Sequence, residues 1–290
     1  MEINGGIIEI KCYFRFMNIT YHAVLSGHQK IAYSKSSILQ GIPPLVLLHG
    51  FCEDSSLWDE WLPTAPGLSV IRIDLPGFGQ SDLSKVSGMD AYAQAVKAVL
   101  DHEAIIKCVL VGHSMGGYTA LAFAAFFPQY LCGLGLFHAH PLEDSPEQKE
   151  NRNRGIEMIR SGKKDLYVAQ LFPKLFEDTF EKQQPEVVLR LIRKGQEQSA
   201  EGIIQALESM KARPNRTNVL VEATFPVLFL LGKNDVLIPY LKVLGIAAMM
   251  RETEVQLPDH VAHMGMFESV EATSNIVKRF WQRSIQKYLF

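Results

Sequence analysis

The string Gly112-His113-Ser114-Met115-Gly116-Gly117 sets a serine among small residues. It follows the apolar run Cys108 to Val111 directly and opens an Ala- and Phe-rich stretch from Met115 to Phe127. A strand ending there and a helix starting there force a sharp turn, and the glycines two positions either side of Ser114 let that turn close. The serine then stands in a strained conformation at the carboxyl edge of a sheet. The N–H of Met115 lies at a helix N-terminus, where negative charge is favoured. An earlier apolar run, Leu45 to Leu48, ends in His49-Gly50-Phe51. In a parallel sheet its loop lies beside the serine turn, so the N–H of Phe51 can join that of Met115 around an oxyanion. These are the parts of an acyl transfer: a hydroxyl nucleophile and two backbone donors for a tetrahedral intermediate.

Such a serine needs a base, and the base needs an acid to hold its tautomer and stabilise its charged form. Asp235 follows the run Val227 to Leu231 after a short turn, which brings its carboxylate to the same sheet edge as Ser114. Asp74 also follows a strand-like run but precedes the nucleophile, and Glu143 and Asp144 are the second-choice acids. Two histidines, His260 and His263, compete as base in the loop before the last helix. Among the others, His49 at a strand end suits loop organisation, and His113 suits packing beneath the serine turn. His138 and His140 stand where the run Leu134 to Phe137 ends. With Phe51 and Cys52 beside the first loop and Phe172 and Phe176 further on, they are candidates for the wall of a substrate pocket. Trp58 and Trp61 read as packing, and Asp259 as a turn residue.

The elements that must hold these residues are legible as alternation. The short runs Leu45–Leu48, Val70–Ile73, Cys108–Val111, Leu134–Phe137, Val227–Leu231 and Glu254–Leu257 are continuously apolar or nearly so, as in parallel strands covered on both faces. Between the second and third, Met89, Tyr92, Ala93, Val96, Val99 and Leu100 recur at helical spacing. Val270, Thr273, Val277, Phe280 and Trp281 mark one face of a final helix. Repeated strand–helix alternation predicts a doubly wound, mostly parallel α/β fold. From about 142 to 222 no strand is legible. Ser145-Pro146-Glu147-Gln148 has the pattern of a helix start, and charged helical pieces follow. The expected organisation is a core of residues 1–141 and 223–290, with a helical cap of residues 142–222 inserted before the penultimate core strand.

In these motifs the chain resembles the α/β-hydrolase fold family in its capped form, over essentially its whole length. His49-Gly50-Phe51, Asp74-Leu75-Pro76-Gly77-Phe78-Gly79-Gln80-Ser81, Gly112 to Gly117, and Gly232-Lys233-Asn234-Asp235 with Pro239 occur in the family's order, and His263-Met264 closes the set. The resemblance implies a Ser–acid–His triad in that chain order, hence Ser114, Asp235 and His263. His263, with Glu268 downstream, fits the family register better than His260, although Ala262 replaces the usual glycine. The family's Asp74 segment is structural. Members that act on alkyl halides or epoxides carry aspartate at the position of Ser114, so the resemblance implies a serine hydrolase. Carboxylic ester hydrolysis through an acyl-enzyme is its broadest expectation; C–C, lactone, thioester and amide hydrolysis share the residues. A non-catalytic ligand receptor of the same fold is a reading from another class. A cap of this kind is expected to close over the triad and select a small to medium, mainly apolar substrate.

Composition narrows the field further. The 290 residues are 47% apolar and 21% charged, with a net charge of -2, so neither disorder nor electrostatic attraction to nucleic acid is indicated. Cys12, Cys52, Cys108 and Cys132 form no C-x-x-C pair and have no zinc-ligand spacing, and they read as reduced thiols. Gly77-x-Gly79 and Gly232-Lys233 lack the remaining residues of nucleotide-binding loops, so neither cofactor nor metal is expected. The N-terminus lacks the pattern of a secretory signal, and no apolar stretch approaches the roughly 18 to 20 residues of a membrane span. The expectation is a cytoplasmic enzyme whose partner is a small-molecule substrate, without membrane insertion.

Overall fold

The computed structural model describes residues 10–14, 17–26 and 28–289. The sequence readings of the extreme N-terminus and of the Cys12 side chain lie outside these residues. Nine strands form one sheet in the order β1-β2-β3-β5-β4-β6-β7-β8-β9. They are β1 (Ile10–Phe14), β2 (Met17–Ser26), β3 (Gln29–Lys35), β4 (Leu45–Leu48), β5 (Val70–Ile73), β6 (Cys108–His113), β7 (Leu131–Phe137), β8 (Val227–Leu230) and β9 (Thr253–Gln256). From β5 through β9 every pairing is parallel, whereas β1, β2 and β3 join antiparallel at one edge. The central strands β4, β5, β6, β7 and β8 are buried at every position, as their unbroken apolar runs require.

The antiparallel edge is absent from the sequence reading. Its strands mix polar and apolar residues, and most of the described β2 side chains from Thr20 onward are only half-buried, so no continuous apolar run marks them. At the other edge β9, read from the run Glu254–Leu257, is half-buried throughout.

Helices α1 (Met89–His102) and α2 (Met115–Phe126) follow β5 and β6. Between β7 and β8 come α3 (Pro146–Arg160), α4 (Lys164–Leu171), α5 (Asp178–Gln183), α6 (Pro185–Glu197), α7 (Ala200–Ala212) and α8 (Thr217–Val221). Helices α9 (Tyr240–Ala247), α10 (Gly265–Glu268) and α11 (Val270–Leu289) complete the chain. The start of α3 is the capping box expected from Ser145 and Gln148, with both reciprocal hydrogen bonds formed. Helix α3 packs on α4 and α7, and α4 on α6, giving this helical segment its own contacts.

The segment is tied to the loop after β5. Gln198 accepts from the Gly79 N–H (2.9 Å), Gln205 accepts from Ser84 N–H (3.2 Å) and donates to Ser84 O (2.7 Å), and Ser209 accepts from Gly88 N–H (2.8 Å). At the closest approach a Cβ on Gly202 would stand 2.1 Å from the Gly77 carbonyl oxygen, so only glycine lets α7 seat there. Among the described residues no helix is long and apolar enough to cross a membrane, and no His/Cys/Asp/Glu cluster has the arrangement of a metal site. Cys52, Cys108 and Cys132 are buried and free.

Candidate active site

Ser114 sits between β6 and α2 at φ 49° and ψ −112°, a backbone conformation that side chains other than glycine's rarely adopt. Packing holds it there. A Cβ on Gly112 would lie 2.2 Å from the Gly116 oxygen, and one on Gly116 would lie 2.6 Å from the His49 oxygen. Ser114 N–H donates to Phe137 O (2.9 Å), which locks the turn to the end of β7.

The loops after β8 and β9 bring the other two residues to the serine. The Asp235 carboxylate accepts from the N–H groups of Leu237 (2.9 Å) and Ile238 (3.0 Å) through Oδ1 and faces His263 Nδ1 at 2.7 Å through Oδ2. His263 Nε2 lies 2.9 Å from Ser114 Oγ. Burial pushes the Asp235 carboxyl up, but the nearby His263 ring and its hydrogen bond outweigh that and leave it below the usual carboxylate range. A carboxylate at Oδ2 directs the Nδ1 proton of His263 and leaves Nε2 free to accept from the serine hydroxyl. The backbone of His263 is fixed as well, its N–H donating to Leu175 O (2.9 Å).

The competing residues lie elsewhere. His260 is exposed, at φ 57°, and Asp259 is an exposed partner of Lys233. Asp74 accepts from the N–H groups of Ser55 and Gln80 (2.9 Å each), ordering its own loop. Asp144 pairs with Arg152 (2.5 Å) and Arg213 (2.6 Å). His49 organises its loop through Leu75 N–H, which donates to Nε2 (2.9 Å). Among the described residues, the N–H groups of Phe51 and Met115 donate to no acceptor within the protein.

A cavity of ≈ 250 Å³ opens over Ser114. Its floor is Phe51, Glu53, His113, Ser114 and His263, and its roof comes from Tyr167, Leu171 and Leu175 with Leu207 and Met210. Leu237 and Ile238 close one side, and Gln148, Asn151 and Arg152 form a polar flank.

Phe51 lines this cavity, and His138, His140, Cys52, Phe172 and Phe176 do not. His138 is fully buried, with the N–H groups of Gly232 (3.1 Å from Nδ1) and Gly265 (3.3 Å from Nε2) facing its two ring nitrogens; the neutral ring accepts from one of them. Burial holds its pKa well below the usual histidine value. His140 accepts from Leu142 N–H (3.1 Å) and packs on Tyr118; burial and the Arg213 charge bring it down to about 4. Cys52 is sealed behind the loop at 1% exposure. Phe172 is buried against Gly195 of α6, and Phe176 stacks on Phe180. The missed lining residues Leu171 and Leu175 stand one position before these two phenylalanines, on the adjacent helical stripe.

Residues 43–270 match the alpha/beta hydrolase fold family, and the chain belongs to it. It is similar to the 2-succinyl-6-hydroxy-2,4-cyclohexadiene-1-carboxylate synthase of Salmonella agona, 32% identical over 204 residues that cover 67% of this chain and 79% of that one. Among solved structures it is similar to a thermophilic esterase from Thermogutta terrifontis. That match has a TM-score of 0.84 and 26% identity, over 97% of this chain and 100% of the other. The fold is shared with the enol-lactonase of Burkholderia xenovorans LB400 (TM-score 0.81, 19% identity, 90% and 99% covered).

Proposed function

We propose that the protein is a serine hydrolase that cleaves small to medium, mainly apolar carboxylic esters through an acyl-enzyme. The reading rests on one observation: a continuous hydrogen-bonded chain from Asp235 through His263 to Ser114, at the floor of an apolar-roofed cavity. His263 Nε2 takes the hydroxyl proton as Ser114 Oγ attacks the ester carbonyl carbon. The N–H groups of Phe51 and Met115 receive the oxyanion. The proton then passes from His263 to the departing alcohol oxygen, and the C–O bond breaks. Water, deprotonated by the same ring, attacks the acyl carbon, the acid leaves and Ser114 regains its proton. In this reading residues 142–222 act as a cap over a core of 1–141 and 223–290, and the roof leucines select the acyl or alcohol group.

A second reading, synthase chemistry like that of the Salmonella relative, is favoured by the 32% identity. That relative is named for a carboxylate-bearing product, and a site for such an anion should offer a free cation. The guanidinium that lines this cavity, Arg152, is held by Asp144 at 2.5 Å and shares that carboxylate with Arg213, so an anion would have to compete with Asp144 for it. A purified wild-type chain should turn over short p-nitrophenyl esters. Ser114→Ala, with unchanged circular dichroism, should lose more than about 10³-fold in kcat/KM. Equal turnover by the two proteins would overturn the proposal.

A further inference from the structure

Directly beneath Ser114 lies a second carboxylate–imidazole pair. Glu53, 4% exposed, faces His113, 1% exposed, with its Oε2 3.1 Å from His113 Nδ1. The same Oε2 accepts from Gly50 N–H at 2.6 Å, one residue before Phe51. On the far side of the ring, Nε2 stands 2.9 Å from the carbonyl oxygen of His263. Both nitrogens of His113 therefore face acceptors. A neutral imidazole has one N–H and one bare lone pair, and with the proton on the ring only the imidazolium donates at both ends.

We propose that His113 is a resident imidazolium, ion-paired with Glu53, that braces the loop carrying Phe51 against the backbone of His263 and so positions oxyanion donor and base for reaction.

Several features support the charge. Among the described residues Glu53 has no ion-pair partner other than His113, so the imidazolium is the countercharge that a buried carboxylate requires. The groups facing His113 are Glu53 from the loop after β4, the His263 carbonyl and ring (centroids 5.2 Å apart) from the loop before α10, the His138 ring (6.0 Å) from the end of β7, and, further off, Asp235. His138, which burial keeps neutral, adds no positive charge. Burial pulls the His113 pKa down, but the Glu53 charge and hydrogen bond, the His263 carbonyl and Asp235 together carry it above the usual value. The brace is therefore complete below the usual histidine value and is lost as pH rises through the raised one.

That His113 is protonated does not depend on the proposed activity; its consequence for turnover rests on that reading. In the full chain at pH 7, the histidine side-chain ¹⁵N spectrum should show one ring with both nitrogens protonated. That ring should be absent in His113→Gln and neutral in Glu53→Gln. A wild-type His113 with a bare nitrogen at pH 7 would place the proton on Glu53 and overturn the proposal. This measurement needs no variant to fold. With ester substrate, Glu53→Gln should lower kcat about tenfold with KM within about twofold, the pattern of lost positioning, and its activity should fail at lower pH on the alkaline side. Unchanged kcat and alkaline limb with a neutral ring would overturn the bracing role. A wild type inert to esters would sink the ester reading and leave the spectrum to decide the ring.

Discussion

The floor and the roof of the cavity are built on different principles. The polar groups at the floor and behind it are pinned by backbone: Ser114 N–H to Phe137, His263 N–H to Leu175, Glu53 by Gly50, His113 by the His263 carbonyl, and Asp235 behind them by two N–H groups. These groups come from separate loops at the carboxyl edge of one sheet, so their geometry is fixed by strand order. The roof comes from one continuous helical segment and meets the cavity mainly with aliphatic side chains. A floor of this kind sets which bond is broken, because its interactions are directional. A roof of this kind sets which molecule fits, because dispersion and burial are not. Substitutions in the floor should therefore move kcat, and those in the roof should move substrate preference.

After loss of the proposed nucleophile Ser114, the largest expected effect is at the proposed acid. Asp235→Asn keeps the volume but presents an amide to His263 Nδ1, which favours the wrong tautomer and leaves Nε2 unable to accept from Ser114. On that basis kcat should fall about 10³- to 10⁴-fold with KM little changed. Steady-state kinetics on a short ester measures this, and a loss smaller than about tenfold would erase the contrast between floor and roof.

The same contrast explains what could be read from the chain before folding. Ser114 and Asp235 each follow a legible strand, and their residue types have few other reasons to occupy such turns, whereas only the family register separates His263 from His260. Glu53 had no such signal: it follows His49-Gly50-Phe51 by two residues, but nothing in the spacing says that it turns back to His113. In the roof, Leu171 and Leu175 share one stripe and Phe172 and Phe176 the next, both at i, i+4 spacing. Periodicity finds both stripes and does not say which one faces the cavity, because that depends on how α4 rolls against α6 through the Phe172–Gly195 contact. His138 and His140 failed for a related reason: a residue just past a strand can turn into the sheet edge, where backbone N–H groups need acceptors, as readily as into a pocket.

The roof is tested at Leu171, half-buried at the end of α4. Truncation to alanine removes apolar surface from the cavity wall without opening the packed core. The ratio of kcat/KM for the longest to the shortest acyl chain accepted should rise about tenfold, while kcat for the shortest stays within about twofold. A large fall in kcat for every ester would mean that the roof takes part in the chemistry and that the division is wrong.

The smallest expected effect lies at the joint between the two regions. Glu268 Oε1 accepts from Glu177 N–H (2.7 Å), at the start of α5, and Oε2 accepts from Ala262 (3.0 Å) and Met264 (3.1 Å), on either side of His263. Burial pushes this carboxyl up from 4.5 to about 7, against the three N–H groups that favour its charged form and with Asp235 adding to the rise. Between those two values the folded chain holds a proton that the unfolded chain has released. The contribution of this group to stability is therefore fully present below 4.5 and is lost as pH rises through 7. Its partial exposure to water reduces the size of the effect to about 1 kcal/mol. Glu268→Gln cannot titrate, so the fall in its unfolding free energy between pH 5 and pH 8 should be smaller than that of the wild type by this amount. Urea denaturation of both proteins at the two pH values measures the difference, and parallel pH dependence would show that the joint between floor and roof is held by other contacts.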